Sequence, residues 1–124
     1  MNWVRINTSL PTSPKLIALA RELSCTVNEA LGLTLSWLCW LDTHTTNGKS
    51  GLYASEADEM IFNHDGASRA LKAVGWAYED ENMFLCSSEY EKYNSPTAKA
   101  KTLAAARQKK SRLNKKRQQQ HNKN

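Results

Sequence analysis

The chain has 124 residues, with 17 Lys or Arg against 12 Asp or Glu, so its formal net charge is +5. Hydrophobic residues make up 40% of the chain, and no apolar run approaches the ~20 residues that a membrane-spanning helix needs. The three cysteines are widely spaced and form no CxxC pair, which indicates neither a zinc site nor a disulfide framework. We therefore expect a small cytoplasmic protein with reduced thiols and no membrane partner.

The charges are divided unevenly along the chain. Ten basic residues and no acidic one lie from Thr97 onward, whereas seven basic and all twelve acidic residues precede Thr97. The formal charge is therefore −5 before Thr97 and +10 after it. A cationic segment of this kind attracts polyanions, and nucleic acid is the commonest polyanion in a cell. The alternative is a solvated tail that only aids solubility.

The first half of the chain predicts a strand and two helices. Residues 3–6 alternate between apolar and polar and predict a short strand. Ser13 precedes a helix that begins at Pro14 and runs to about Ser24 with one apolar face. A second helix follows the N-cap Thr26 and stops near Thr45; its apolar residues cover nearly the whole circumference, which predicts a central helix. We expect its core to include Trp37, Cys39 and Trp40.

The second half predicts a helix-turn-helix followed by a hairpin. Residues 49–54 form a connector or strand, and Ser55 caps a third helix that runs to Phe62. A fourth helix runs from about Ala67 to Val74 and ends at Gly75. Two apolar segments around residues 79–82 then predict a β-hairpin.

The order of these elements predicts the fold class. It is mainly α with a small β-hairpin (α+β), a winged helix-turn-helix over residues 1–94. A basic tail follows over residues 95–124, with a predicted helix over Thr97–Asn114.

Several short segments resemble one known family. The chain is similar to the N-terminal winged-helix domain of phage and prophage replication proteins (replisome organiser-like) in the sequences Met1-Asn2-Trp3-Val4-Arg5-Ile6-Asn7-Thr8, Leu10-Pro11, Pro14-Lys15, Glu29-Ala30-Leu31-Gly32, Trp37-Leu38-Cys39-Trp40, Ala70-Leu71 and Val74-Gly75-Trp76. The resemblance implies a DNA-binding protein of phage or mobile-element origin, acting in replication or its regulation in a bacterial host cell.

The chain departs from that family in two places. The family usually has a His-Asp-Trp-like motif after the wing, where this chain has Ser87-Ser88-Glu89-Tyr90. The family also usually continues into a segment that engages other replication proteins, and this sequence ends at Asn124.

The fourth helix supplies the first candidate binding residues. Its apolar positions predict that Ser68, Arg69 and Lys72 face solvent. An arginine at the start of a recognition helix can reach guanine O6 and N7 in the major groove. Asn63 and His64, at the helix entrance, are placed to touch phosphate. The alternative is an ordinary solvated face with two basic side chains.

The tail supplies the second and larger set of candidates. The wing tip carries Glu79, Asp80 and Glu81, which repel phosphates, so affinity has to come from the tail. Six neutralised phosphates would give a slope of log K against log salt near −5. We expect that deleting residues 97–124 abolishes or greatly weakens binding to nucleic acid, with DNA favoured over RNA. The candidate residues of the tail are Lys99, Lys101, Arg107, Lys109, Lys110, Arg112, Lys115, Lys116 and Arg117.

A second hypothesis assigns the chain to another class. A small phage-encoded inhibitor of a host nucleic-acid enzyme, similar to anti-CRISPR proteins, would dock its acidic body on basic protein surface while its tail holds nucleic acid. The docking carboxylates would be those of the wing together with Glu56, Asp58 and Glu59.

Enzymatic activity is the weakest hypothesis. The three histidines have no metal-ligand spacing, and no Gly-rich phosphate loop, GxSxG or HExxH motif is present. We expect no catalytic residues, no metal and no cofactor.

Overall fold

The protein is mainly helical with one small antiparallel sheet. A computed structural model describes residues 3–122, including the side chains of all of these except residues 88, 91 and 116–122. This α+β architecture confirms the predicted fold class at that level. A short 3-10 turn at Leu10–Thr12 precedes the elements α1 (Pro14–Leu23), α2 (Val27–His44), β1 (Lys49–Tyr53), α3 (Ala54–Ala57), α4 (Ala67–Ala73), β2 (Tyr78–Glu79), β3 (Phe84–Cys86), α5 (Ser88–Asn94) and α6 (Pro96–Asn122). Within residues 3–122, no helix combines the length and apolar character needed to cross a membrane.

Helices α1 and α2 form the main helical layer. Pro14 starts α1, and the helix buries the stripe predicted from its apolar spacing, Leu16, Leu19, Ala20 and Leu23. The Thr26 hydroxyl caps α2 by accepting the Glu29 N–H at 3.1 Å.

The prediction that α2 is buried on nearly every side is wrong for one face. The inner face holds Ala30, Thr34, Trp37 and Leu41, as expected for Trp37, and Trp40 is half-buried. Cys39, however, is exposed. It shares the outer face with small residues, and the hydroxyls of Ser36 and Thr43 donate back to the carbonyls of the preceding turn. Those hydroxyls are satisfied within the helix, so this face needs no covering element.

The predicted strand at residues 3–6 does not form. The Asn94 side chain takes the place of a neighbouring strand: it accepts the Arg5 N–H, and its amide donates to the Arg5 carbonyl at 3.0 Å. Both backbone groups of Arg5 are thereby satisfied without a β-ladder. Asn94 is itself buried, so this side chain joins the N-terminal segment to the end of α5.

The sheet has the strand order β1-β3-β2, with both pairs antiparallel. The hairpin predicted around residues 79–82 and the strand at 49–53 are therefore confirmed. Gly48 leads into β1 with φ +76°, and a Cβ there would lie 2.6 Å from the Ser87 carbonyl oxygen. Only glycine permits this close approach of two backbones.

A single carboxylate sets the angle between α3 and α4. After α3 the chain continues as a π-helical turn, Asp58–Phe62. The helix predicted to run to Phe62 therefore changes from α to π geometry midway. The N-cap of α3 is Tyr53, and the prediction of Ser55 as the cap is wrong. Asp58 then accepts the N–H groups of Gly66 at 3.0 Å and of Ser68 at 2.7 Å. These are orphan donors at the start of α4, so Asp58 caps that helix from eight residues upstream. Gly75, with φ +82°, follows α4 as predicted.

The first turns of α6 pack on the body through a buried ion pair. The Lys99 ammonium pairs with Asp42 of α2 and lies over the Trp3 ring, 4.9 Å from its centroid. The Tyr90 hydroxyl of α5 donates to the same Asp42 carboxylate at 3.0 Å. The Lys99 side chain is 4% exposed and that of Asp42 11%. Helices α2, α5 and α6 therefore meet at one carboxylate, and the N-terminal segment joins them through the contact of Trp3 with Lys99.

We expect Lys99→Met to lower the free energy of unfolding by about 3 kcal/mol, because it leaves Asp42 without its cation in a buried site. Lys101→Met makes the same change in charge on the exposed side of α6 and should cost less than about 0.5 kcal/mol. Urea unfolding followed by tryptophan fluorescence measures both. Equal losses in the two variants would contradict a stabilising role for the buried pair.

Tyr90 makes stability depend on alkaline pH. Burial, with the Asp42 carboxylate as acceptor and neighbouring charge, raises the pKa of Tyr90 to about 12. The neutral phenol is thus favoured in the folded state, so its contribution is complete below pH 10 and is lost as pH rises towards 12. We expect the stability difference between the native chain and Tyr90→Phe to shrink by on the order of 2 kcal/mol over that range. Denaturant titrations of both chains at several pH values measure it, and a constant difference would contradict the assignment.

Candidate nucleic-acid interface

The exposed part of α6 is the most strongly charged surface of the described structure. Beyond Thr102, every described side chain of the helix is exposed through Lys115. No acidic residue occurs in α6. Five of the predicted binding residues lie on this exposed helix surface, and Lys101 is exposed just before it. These six are called the tail cations here: Lys101, Arg107, Lys109, Lys110, Arg112 and Lys115.

The tail cations surround α6 instead of lining one side. At about 3.6 residues per turn, Lys109, Arg112 and Lys115 form one row, while Arg107 and Lys110 lie on roughly the opposite side. A helix with cations all round presents charge to phosphates without fixing which side meets the backbone. This arrangement suits contacts that position a nucleic acid but do not read its sequence.

Three predicted tail residues stand apart from this group. Lys99 is buried against Asp42, so the prediction that it binds phosphate is wrong: its ammonium is already neutralised within the body. Lys116 and Arg117 lie in the backbone range of α6, but their side chains fall outside the described residues.

Helix α4 exposes fewer free binding residues than its sequence predicts. Ser68 is fully buried, and its hydroxyl donates to the Ala54 carbonyl at 3.1 Å. The prediction that it faces solvent is therefore wrong, because the start of α4 packs directly on α3. Lys72 is half-buried and pairs with Glu79 of the wing, so its charge is compensated.

Arg69 is the predicted α4 contact that does face solvent. It borders a small notch of about 90 Å³, with Glu22, His64 and Asp65 among its walls. Two carboxylates at this notch reduce the positive potential that a phosphate would meet. Arg69 alone therefore supplies little affinity.

Two of the three carboxylates of the β2–β3 hairpin, Glu79 and Asp80, have internal partners. Glu79 pairs with Lys72. Asp80 Oδ1 accepts the N–H groups of Asn82 at 2.9 Å and Phe84 at 3.0 Å, which closes the hairpin turn. Glu81 is exposed at the tip, so the wing opposes phosphate binding less than three free carboxylates would.

The carboxylates assigned to protein docking are also occupied in part. Glu56 accepts the Tyr53 N–H at 2.9 Å at the start of α3, and Asp58 caps α4. Glu59 is exposed. Two of these three carboxylates thus serve as hydrogen-bond acceptors for backbone N–H groups at helix starts.

A cavity that the sequence pattern did not predict lies beside α2. It has a volume of about 410 Å³, and its lining includes Arg5, Trp37, Trp76 and Tyr93. Its walls come from segments far apart in the chain, so no local motif marks it. Among the described residues, no group of three or more His, Cys, Asp or Glu side chains is placed to hold a metal ion.

Comparison with protein-family models, curated protein sequences and solved structures finds no match to this chain. The assignment of function therefore depends on the geometry and charge described above.

The Lys72–Glu79 pair predicts a gain of binding when it is broken. Glu79→Gln keeps the side-chain shape but removes the carboxylate that pairs with Lys72. The Lys72 ammonium of α4 is then free to contact a phosphate. We expect the slope of log K against log salt for duplex DNA to become steeper by about 1, as one more phosphate contact forms.

Glu81→Gln is the matched control for that variant, because it removes the same charge from the wing tip without releasing a cation. Its salt slope should stay at the native value in the same fluorescence-anisotropy titration. Identical slopes for the two variants would show that Lys72 does not reach phosphate.

Proposed function

We propose that this protein is a non-enzymatic nucleic-acid-binding protein in which the exposed part of α6 supplies the affinity and a winged-helix body orients the complex. The observation that carries the proposal is the uncompensated charge of α6. Among the described side chains, ion pairs join Lys72 to Glu79 and Lys99 to Asp42, and neither involves a tail cation. Each tail cation is thus available to displace a counterion from a phosphate.

The order of elements supports the winged-helix part of the proposal. Helix α2, strand β1, helices α3 and α4, and the hairpin of β2 and β3 follow one another, and β1 pairs with β3 at the edge of that hairpin. Asp58 fixes the turn between α3 and α4. DNA as the ligand, and a role in replication or regulation of a phage or mobile element, follow from the resemblance of the sequence.

The body and the tail have separate tasks in this proposal. The body has little free positive charge near α4, where Arg69 faces solvent and Lys72 is paired. Six tail cations, if each neutralises one phosphate, give a slope near −5 for log K against log salt. The buried Lys99–Asp42 pair holds the start of the charged helix against the body.

The test has to leave that buried pair in place. A deletion from residue 97 removes Lys99 and destabilises the body, so truncation after Leu103 is the better experiment. We expect the truncated chain to lose roughly two orders of magnitude or more of its affinity for duplex DNA.

A full-length variant separates charge from helix length. Replacing Arg107, Lys109, Lys110, Arg112 and Lys115 by glutamine should lower the salt slope by about 4 to 5. A variant with the order of residues 104–122 permuted keeps the charge and should keep its affinity. Native affinity and slope in the glutamine variant, or cleavage of the oligonucleotide by the purified native chain, would contradict the proposal.

A further inference from the structure

The two faces of the sheet have different environments. Leu85 points to the core, where it is fully buried, and Glu79 lies opposite it on the same face. Cys86, the next residue of β3, is also fully buried but lies outside the core cluster. Neighbouring residues of a strand point to opposite faces, so Cys86 belongs to the other side of the sheet, called the outer face here.

The strand register places several aromatic rings on this outer face. Directly opposite residues of antiparallel strands share a face. Tyr78 pairs with Cys86, and Tyr53 pairs with Phe84. Since Phe84 and Cys86 are two residues apart on one strand, all four side chains lie on the outer face.

These rings are accessible. Tyr53 is 50% exposed and Tyr78 is 40% exposed. The Tyr53 and Phe84 rings are 5.1 Å apart between centroids with an interplanar angle of 35°, so the half-buried Phe84 supports Tyr53 from below. Such a supported ring presents a π-face to solvent with little freedom to lose on binding.

The outer face carries one exposed cation that can contact a phosphate, with two carboxylates at its border. Lys49 pairs in register with Cys86 and is exposed, so a cation lies in the same row as Tyr78. The Asp80 carboxylate borders the face, but Oδ1 accepts two backbone N–H groups and Oδ2 lies 3.8 Å from Cys86 Sγ. Glu56, next to Tyr53, is likewise bound to the Tyr53 N–H.

We propose that the outer face is a stacking platform for the unpaired bases of a single-stranded nucleic acid, with Tyr53 and Tyr78 as the stacking side chains and Lys49 on the phosphate backbone. Partly exposed aromatic rings beside a cation are the chemistry that single strands require, because every base has a π-face. A duplex keeps its bases stacked internally and gains nothing from such rings. The inference rests on the proposed function, since the tail cations still supply most of the electrostatic affinity.

The full chain and the variant Tyr53→Ala with Tyr78→Ala are titrated against a fluorescent oligothymidylate and against a duplex of equal length. We expect the double variant to bind the single strand about tenfold or more weakly, with an unchanged salt slope and unchanged duplex affinity. Tyr53→Phe keeps the ring and should bind both ligands like the native chain. Neither tyrosine belongs to the buried core, and a thermal melt of each variant checks that the fold is retained.

The outcomes separate this inference from the proposed function. Native single-strand affinity in the double variant overturns the platform while leaving the tail proposal intact, and so does an equal loss towards duplex and single strand. If the native chain binds neither oligonucleotide, both proposals fail.

Discussion

The ion pair between Lys99 and Asp42 is the interaction on which the arrangement of the protein depends. It joins the second helix, the fifth helix through Tyr90 and the N-terminal segment through Trp3. A buried charge pair costs desolvation, so its value lies less in net stability than in specifying a single arrangement. Here the arrangement it specifies is the direction in which the long basic helix leaves the body. A hydrophobic residue at position 99 would pack, but it would not select Asp42 over other partners.

The uneven distribution of charge has a structural explanation. Among the acidic residues whose side chains the structure describes, five have internal partners: Asp42 and Glu79 pair with lysines, while Glu56, Asp58 and Asp80 accept backbone N–H groups at helix or turn ends. The last three of these carboxylates satisfy backbone N–H groups at the starts of α3 and α4 and in the hairpin turn. The basic residues after Thr102 take part in no ion pair within the described structure. The acidic body thus uses several of its charges in folding, whereas the tail cations stay exposed and form no ion pair among the described side chains.

Local patterns were enough to predict most elements but not the contacts between them. The apolar stripe of α1, the Thr26 cap and the hairpin are properties of a few neighbouring residues, and all three form as expected. Helix α5 was missed although Ser87 caps it by accepting the Tyr90 N–H at 3.2 Å, because seven residues carry little periodicity. The prediction of a strand at residues 3–6 was wrong because the backbone of Arg5 is bound by the side chain of Asn94, which lies 89 positions further along the chain. The candidate site divides in the same way: charge is readable from the sequence, whereas the burial of Ser68 and Lys99 depends on long-range packing.

Helix α6 is held near one end and is exposed from Leu103 to Lys115, which gives it the geometry of a lever. From Lys99 to Lys115 its axis is ~24 Å long at ~1.5 Å per residue. A tilt of about 10° at the Asp42 contact therefore displaces the far end by ~4 Å, roughly the rise between successive base pairs. Small changes in packing around one buried carboxylate are in this way amplified into movements of several ångströms at the far end of the basic helix.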